Sequence, residues 1–484
     1  MKVSTQKSRG VTPGLGSVSA AIRAALVVLG AVSLSWPAIY NGFPLLYPDS
    51  VSYLASGRKI AQALFLHRFS GDYGARSVFY SLAIIPLHWG TAPWLVVAMQ
   101  CLLVAWVVWL VVRSIAPRSG VLGYMSLILS LSLLSSAGWY AAFIMPDILA
   151  PVLCLAIYLL AYAGDALSRM ERIALGAVAW WSITAHATHL LLACGLCLLL
   201  AAAAAFERKR HSGNCRAGDF KAVGLVAVIV VAAVASQLAV YGLLYGTPSL
   251  NGRHPPILMA RVIADGPGRW YLEQHCPQVH WAVCDHLPSL SADPNTLLWG
   301  SDAPYEPATE SEKRRFEAEE MPLVLATLRA YPWQEFTRAA ANFRDQLRWF
   351  GLFGFNWNER MPELLNAAMP QLTSSYLRSR QARDALHLVP LSRLEWWVIV
   401  ASLAVIAGLA PFSLRRASCR LAGLSLVIAA TVIGNACITG VLSQPNHRFQ
   451  CRVMWLVPFL AGVLLLDWLA RWKAKGQLPS QIHR

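Results

Sequence analysis

Asp49 lies in the stretch Tyr47-Pro48-Asp49-Ser50-Val51-Ser52-Tyr53-Leu54, just past the first long apolar segment, and Arg58, Lys59, Arg68 and Arg76 follow in the same loop. A carboxylate there can take a proton. Arginines beside it can hold an anion, because a guanidinium donates paired hydrogen bonds to carboxylate or phosphate oxygens. Three other places offer similar groups. Asp147 lies in Ile144-Met145-Pro146-Asp147-Ile148-Leu149-Ala150-Pro151, and His186 and His189 stand at the junction of two apolar segments. His447, Arg448 and Arg452 fall in Asn446-His447-Arg448-Phe449-Gln450-Cys451-Arg452, directly before the last apolar segment. Each has a plainer alternative. Pro-Asp-Ser is also turn chemistry, Asp147 also suits a helix N-cap, and arginines at the end of a span also snorkel. The two histidines, three apart, share a helical face and suit contact with a substrate or headgroup; with no evident third ligand, no metal site is assigned to them. Arg253, in Asn251-Gly252-Arg253-His254-Pro255-Pro256, and Arg261 are weaker candidates, since arginines in a long loop are ordinarily solvated.

The elements that must position these groups follow from composition. Of 484 residues, 56% are hydrophobic and only 14% charged, against about 25% charged in soluble domains. The chain reads as an all-α polytopic membrane protein. Its formal charge of +16 does not imply a nucleic-acid partner, because the basic residues sit between apolar runs rather than on one face of a soluble domain. A span needs about 20 apolar residues, and ten segments qualify: 18–40, 92–112, 120–138, 148–165, 173–186, 188–206, 222–244, 395–412, 421–442 and 453–470. The first is too long for a cleaved signal and reads as a retained span.

Basic residues set the orientation. Lys2, Lys7 and Arg9 precede the first span, and Arg113, Arg118, Arg169, Arg172, Arg208, Lys209, Arg210, Arg216, Lys221, Arg415, Arg416, Arg420, Arg471, Lys473 and Lys475 fall in alternate short loops. By the positive-inside rule both termini face the cytoplasm. The first external loop is then 41–91. Within it the apolar stretch 76–89 is short, contains Pro86 and reads as an interfacial helix. All four polar places then fall at one membrane face, the non-cytoplasmic one.

Three parts result: an N-terminal membrane module 1–244, a mostly helical extracytoplasmic domain 245–394, and C-terminal membrane helices with a basic tail 395–484. In the loop, 310–328 and 333–350 read as helices, the second from Phe336, Phe343, Leu347 and Phe350 at helical spacing. Cys276 and Cys284 lie in the same loop, outside the cytoplasm, where a disulfide is permitted. Cys101, Cys154, Cys194, Cys197 and Cys437 lie in apolar segments and read as small core residues.

The pattern resembles the GT-C superfamily of polyprenyl-phosphate-sugar glycosyltransferases, which includes protein O-mannosyltransferases and aminoarabinose transferases. The likeness covers most of 18–206 in architecture. Tyr47-Pro48-Asp49-Ser50 occupies the place of the family's catalytic aspartate, Met145-Pro146-Asp147-Ile148-Leu149 looks like its second aspartate, and the stretch from Arg448 to Phe459 is similar to its basic segment before the last span. The chain departs from the family where Ser50, not a second acid, follows Asp49, and where a lysine common near His186 is missing.

The resemblance implies an inverting displacement with Asp49 as base, Asp147 in support, and Arg58, Arg76, His186, His189, Arg253, His447, Arg448 and Arg452 toward substrate or phosphate. The partners implied are a polyprenyl-phosphate-linked sugar, a glycan, lipid or protein acceptor, and membrane lipids, at the bacterial inner or plasma membrane. No cofactor is certain, and a divalent metal stays open. Two rivals remain. A transporter or flippase for a lipid-linked glycan requires charges at mid-membrane depth, where 92–206 carries almost none; an enzyme of the O-antigen-ligase type leaves Asp49 dispensable.

Overall fold

The computed structural model describes residues 15, 18–71, 73–74, 76–209, 220–415 and 419–476. Lys2, Lys7, Arg9, Arg210, Arg216 and Arg416 lie outside the described residues, as do the side chains of Lys209, Arg415 and Lys475. The described residues are helical, and the only strand-like pairing among them is an isolated parallel bridge from Leu45 to Phe143.

Among the described residues eight helices are long and apolar enough to cross a membrane: Ala20–Asn41, Trp94–Ile115, Pro117–Leu134, Ala187–Arg208, Phe220–Tyr245, Leu388–Pro411, Cys419–Leu442 and His447–Lys473. The segments 148–165 and 173–186 form shorter helices, Leu149–Tyr162 of 14 residues and Arg169–Ala185 of 17. Every residue of Leu149–Tyr162 is buried, so this helix meets protein on all sides and is the axis of the bundle. Val78–His88 is an 11-residue helix with Pro86 inside it. At about 1.5 Å per residue it is too short for a hydrocarbon layer of about 30 Å.

The turn at 185–188 is sharp. His186 is extended between the two helices (φ −158°, ψ 136°), and Glu207, at the far end of the next helix, comes within electrostatic reach of Tyr162. The chain therefore doubles back there. A capping box at Ser168 and Glu171 starts the first of the two helices.

The two ends of the bundle differ in chemistry. At one end Arg113 donates to both oxygens of Glu171, at 2.8 and 2.9 Å, and Arg420 donates to the Ser114 carbonyl and to Asp165. Residues assigned to alternate basic loops thus meet at one end. Asp49, Asp147, Arg448 and Arg452 meet at the other.

The loop 245–394 divides. Residues between Ile257 and Leu323 have their own apolar core of Met259, Ile263, Leu272, Val283, Phe316 and Leu323, and Cys276 and Cys284 are disulfide-bonded. Helices Glu310–Ala330 and Pro332–Arg348 match the expected pair within a few residues. Their apolar stripe does not form one buried face: Phe336 is 62% exposed, while Phe350 packs against the membrane core. Helix Pro332–Arg348 already lies against Cys419–Leu442 of the bundle. Leu352, Phe355, Met361, Leu365, Leu372 and Tyr376 join the main bundle core. The following helix begins at Leu388 rather than at 395, and Ser392 near its start accepts from the Leu352 amide.

Candidate functional site

Asp49 stands in the first turn of helix Pro48–Leu66, where Pro48 needs no amide hydrogen and a carboxylate favours the helix dipole. The Tyr47 amide donates to Ser50 Oγ at 2.9 Å and fixes that turn. Arg76, just before helix Val78–His88, places Nη2 2.5 Å from Asp49 Oδ1. Burial pulls the Arg76 guanidinium down, but Asp49 beside it more than offsets this and holds it above its ordinary value. The Arg76 guanidinium also lies 5.6 Å from the ring centre of Trp299, which comes from the cap.

Asp147 lies in the short turn Pro146–Ile148 that opens the central helix, and it is fully buried. Removing an ion from water costs several kcal/mol, so Asp147 has to be paired. Its partners come from helix His447–Met454, where Arg448 and Arg452 are one turn apart on one face. Arg452 Nη1 lies 3.5 Å and Arg448 Nε 3.7 Å from Asp147 Oδ1. Arg448 Nη2 also lies 3.8 Å from Asp49 Oδ2. Arg448 thus bridges the two carboxylates. Its guanidinium rests 4.3 Å from the Tyr47 ring centre, a contact that strengthens when desolvated.

Arg452 is held on its other side. Nε and Nη2 donate to Asn435 Oδ1 at 3.1 and 2.8 Å, and Nη2 donates to Thr188 Oγ1 at 3.1 Å. Thr188 Oγ1 also meets His186 Nδ1 at 2.8 Å. The His189 ring lies 5.1 Å from that of His186, with Nδ1 on the Ser182 carbonyl at 2.8 Å. The histidines therefore border the cluster through Thr188.

Within this cluster Asp147 Oδ2 and His189 Nε2 are buried without a hydrogen-bond partner, and Arg448 Nε has only its longer ion contact. Before the histidines are counted, three guanidiniums face two carboxylates, so one positive charge is uncompensated. A buried net charge with unused donors is a receptor for an anion. The same set does not fit a resident metal ion, because guanidiniums already neutralise both carboxylates. Among the described residues no group of three His, Cys, Asp or Glu side chains could hold one.

Arg58, Arg253 and His447 lie apart from the cluster. Arg58 lies nine residues beyond Asp49 on the same helix, about 13 Å along the axis. Arg253 pairs with Glu310 in the cap at 2.6 Å. His447 starts the arginine helix but faces away, stacked on Trp349 with centroids 5.7 Å apart and edge-on to Phe353 at 4.9 Å. Arg261 is not solvated either: it is 6% exposed and pairs with Glu335 at 2.7 Å inside the cap.

Tyr53, Thr188, Asn435 and Trp299 are members that sequence reasoning missed. Tyr53 is 2% exposed, one turn after Asp49, and burial pushes its phenol well up, with Arg76 opposing. Its spacing from Asp49 was a signal, as was a lone asparagine inside the apolar run 421–442. Trp299 had none.

Compared with known proteins, the chain matches no family model, no curated protein and no solved structure.

Proposed function

We propose that the protein is a membrane glycosyltransferase of GT-C type that moves a sugar from a polyprenyl-phosphate donor to an acceptor hydroxyl. In this reading Leu149–Tyr162 and Arg169–Ala185 complete ten crossings. Both termini face the cytoplasm, and the Asp49 end opens on the non-cytoplasmic face of the plasma or bacterial inner membrane.

The observation that carries the proposal is the cluster's surplus guanidinium beside a carboxylate with a free oxygen. Asp49 Oδ1 is taken by Arg76, whereas Oδ2 is 3.8 Å from Arg448, beyond hydrogen-bonding distance. Oδ2 can therefore accept a proton. As the acceptor oxygen attacks the anomeric carbon, its proton passes to Asp49 and the carbon–oxygen bond to phosphate breaks. The electron pair leaves on the phosphate, where Arg448 and Arg76 stabilise it. One displacement inverts the anomeric centre. Asp147, deeper and shared by two arginines, orients them rather than exchanging protons.

The test is binding of the leaving group. Purified wild type should retain polyprenyl monophosphate, and Arg448→Ala should lose at least about tenfold in affinity, as expected for a desolvated charge-assisted pair. Equal retention by both would remove the support for a phosphate-bearing donor.

A further inference from the structure

The membrane end that holds Asp49 carries a second concentration of arginine that the cluster does not use. Arg378 lines a cleft of about 430 Å³ together with Phe43, Thr91, Trp94, Gln371 and Ser375, and Arg58 and Arg380 contact Gly90 and Tyr40 next to that lining. One wall belongs to the bundle. The other is helix Pro370–Leu377 and the residue after it, from the segment between cap and bundle.

Arg58 reaches the rim: Gly90 stands in the left-handed region (φ 76°), and a Cβ built on it would lie 3.7 Å from Arg58 Nη2 and 4.0 Å from Gln371 Nε2. Gln371 Nε2 in turn donates to the Gly90 carbonyl. Arg378 donates to Ser375 Oγ at 3.2 Å, and Arg380 donates to the Tyr40 carbonyl at 2.9 Å while lying 4.6 Å from the centre of that ring. These acceptors are neutral. Among the described residues none of Arg58, Arg378 and Arg380 is ion-paired, although every arginine of the Asp49 cluster is. Beside them His88 is 3% exposed, with Nε2 buried and unpartnered.

The cleft sits where two spans end together. Ala20–Asn41 finishes and Trp94–Ile115 begins at its floor. The surface leading away from it is apolar and open, with Ile39 at 63%, Trp89 at 68% and Leu95 at 60% exposure. Tryptophans at that height mark the headgroup layer. Cations over an apolar slope match one ligand shape: an anionic head with hydrocarbon below it.

We infer that this cleft binds the phosphate headgroup of an anionic phospholipid, with its chains along the two spans, and that the lipid ties helix Pro370–Leu377 to the bundle. The site is separate from the Asp49 cluster and does not depend on the reading of that cluster.

The test is a titration of the purified full-length protein by native mass spectrometry with short-chain phosphatidylglycerol, phosphatidylcholine and inorganic phosphate. Phosphatidylglycerol should bind well ahead of the other two. Arg378→Ala with Arg380→Ala should weaken it about 30-fold, at the usual contribution of an arginine near a membrane surface. Ala92→Trp, which fills the cleft without touching a charge, should weaken it as well, and Asp49→Asn should leave it unchanged. Equal binding of phosphatidylcholine would overturn the proposal. So would inorganic phosphate competing at the same concentration as the lipid, or an Ala92→Trp variant that binds like wild type.

Discussion

Replacing Arg452 by Met should destabilise the protein more than any other single change in the cluster. Arg452 is 1% exposed and gives two hydrogen bonds to Asn435 and one to Thr188, besides facing Asp147 at 3.5 Å. Methionine fills much of the volume but leaves Asn435 Oδ1 unsatisfied. Asp147 keeps only Arg448, at 3.7 Å. Breaking a buried ion pair from one side costs about 3–5 kcal/mol, because the remaining ion is stranded. Adding Asp147→Asn removes that stranded ion, so the double variant should recover roughly 0.5–3 kcal/mol relative to the sum of the singles, the range for directly coupled sites. The assay is unfolding in mixed micelles, followed through the double-mutant cycle. An Arg452→Met cost below about 1 kcal/mol, or strict additivity with Asp147→Asn, would show that the pairing does not hold this end together.

Other expectations are shorter. Gly354→Val should lower transfer with little change in expression, since a Cβ at Gly354 meets the Arg448 side chain at 2.9 Å and must push it off Asp147; unchanged turnover would mean Arg448 can shift freely. Removing the Cys276–Cys284 bond, which closes an eight-residue separation, should cost the cap about 2.5 kcal/mol on the chain-entropy account, read as faster amide exchange in helix Pro267–Val279. In the cap, burial raises the Glu306 carboxyl, but Arg360 and the Gly300 amide outweigh it and hold the pKa below the usual value. That contribution is complete above the unfolded pKa and is lost as pH falls through the lower folded one. Acid should therefore loosen the 300–306 turn in wild type, and Glu306→Gln should remove the pH dependence, as followed by limited proteolysis.

What the sequence revealed depended on how local each cause is. Apolar runs specify helices by themselves, so eight of the ten expected spans, the short helix around Pro86 and the reversal at His186 were legible, while 148–165 and 173–186 form shorter helices. The cap helices were legible too, from the spacing of their apolar residues. Their burial was not, because Phe336 and Phe350 share a stripe yet meet different surroundings, one solvent and the other the bundle. The same limit applied at the site. Asp49, Asp147, Arg448 and Arg452 each sit at a helix end beside an apolar run and could be singled out, but Arg58 looked equivalent to Arg76. Only the fold separates them: Arg76 returns to Asp49 through a loop, while Arg58 is carried away along a rigid helix. Trp299 reaches Arg76 from over 220 residues away in sequence, which no local pattern encodes.

The central claim is that Asp49 removes the acceptor proton. The most direct measurement is the initial rate of sugar transfer from a polyprenyl-phosphate donor by Asp49→Asn in membranes, at matched expression and saturating donor. The account predicts a fall of about 10²- to 10⁴-fold in turnover, the usual contribution of a general base, with donor retention largely kept because Arg76, Arg448 and Arg452 remain. Transfer at the wild-type rate would contradict it.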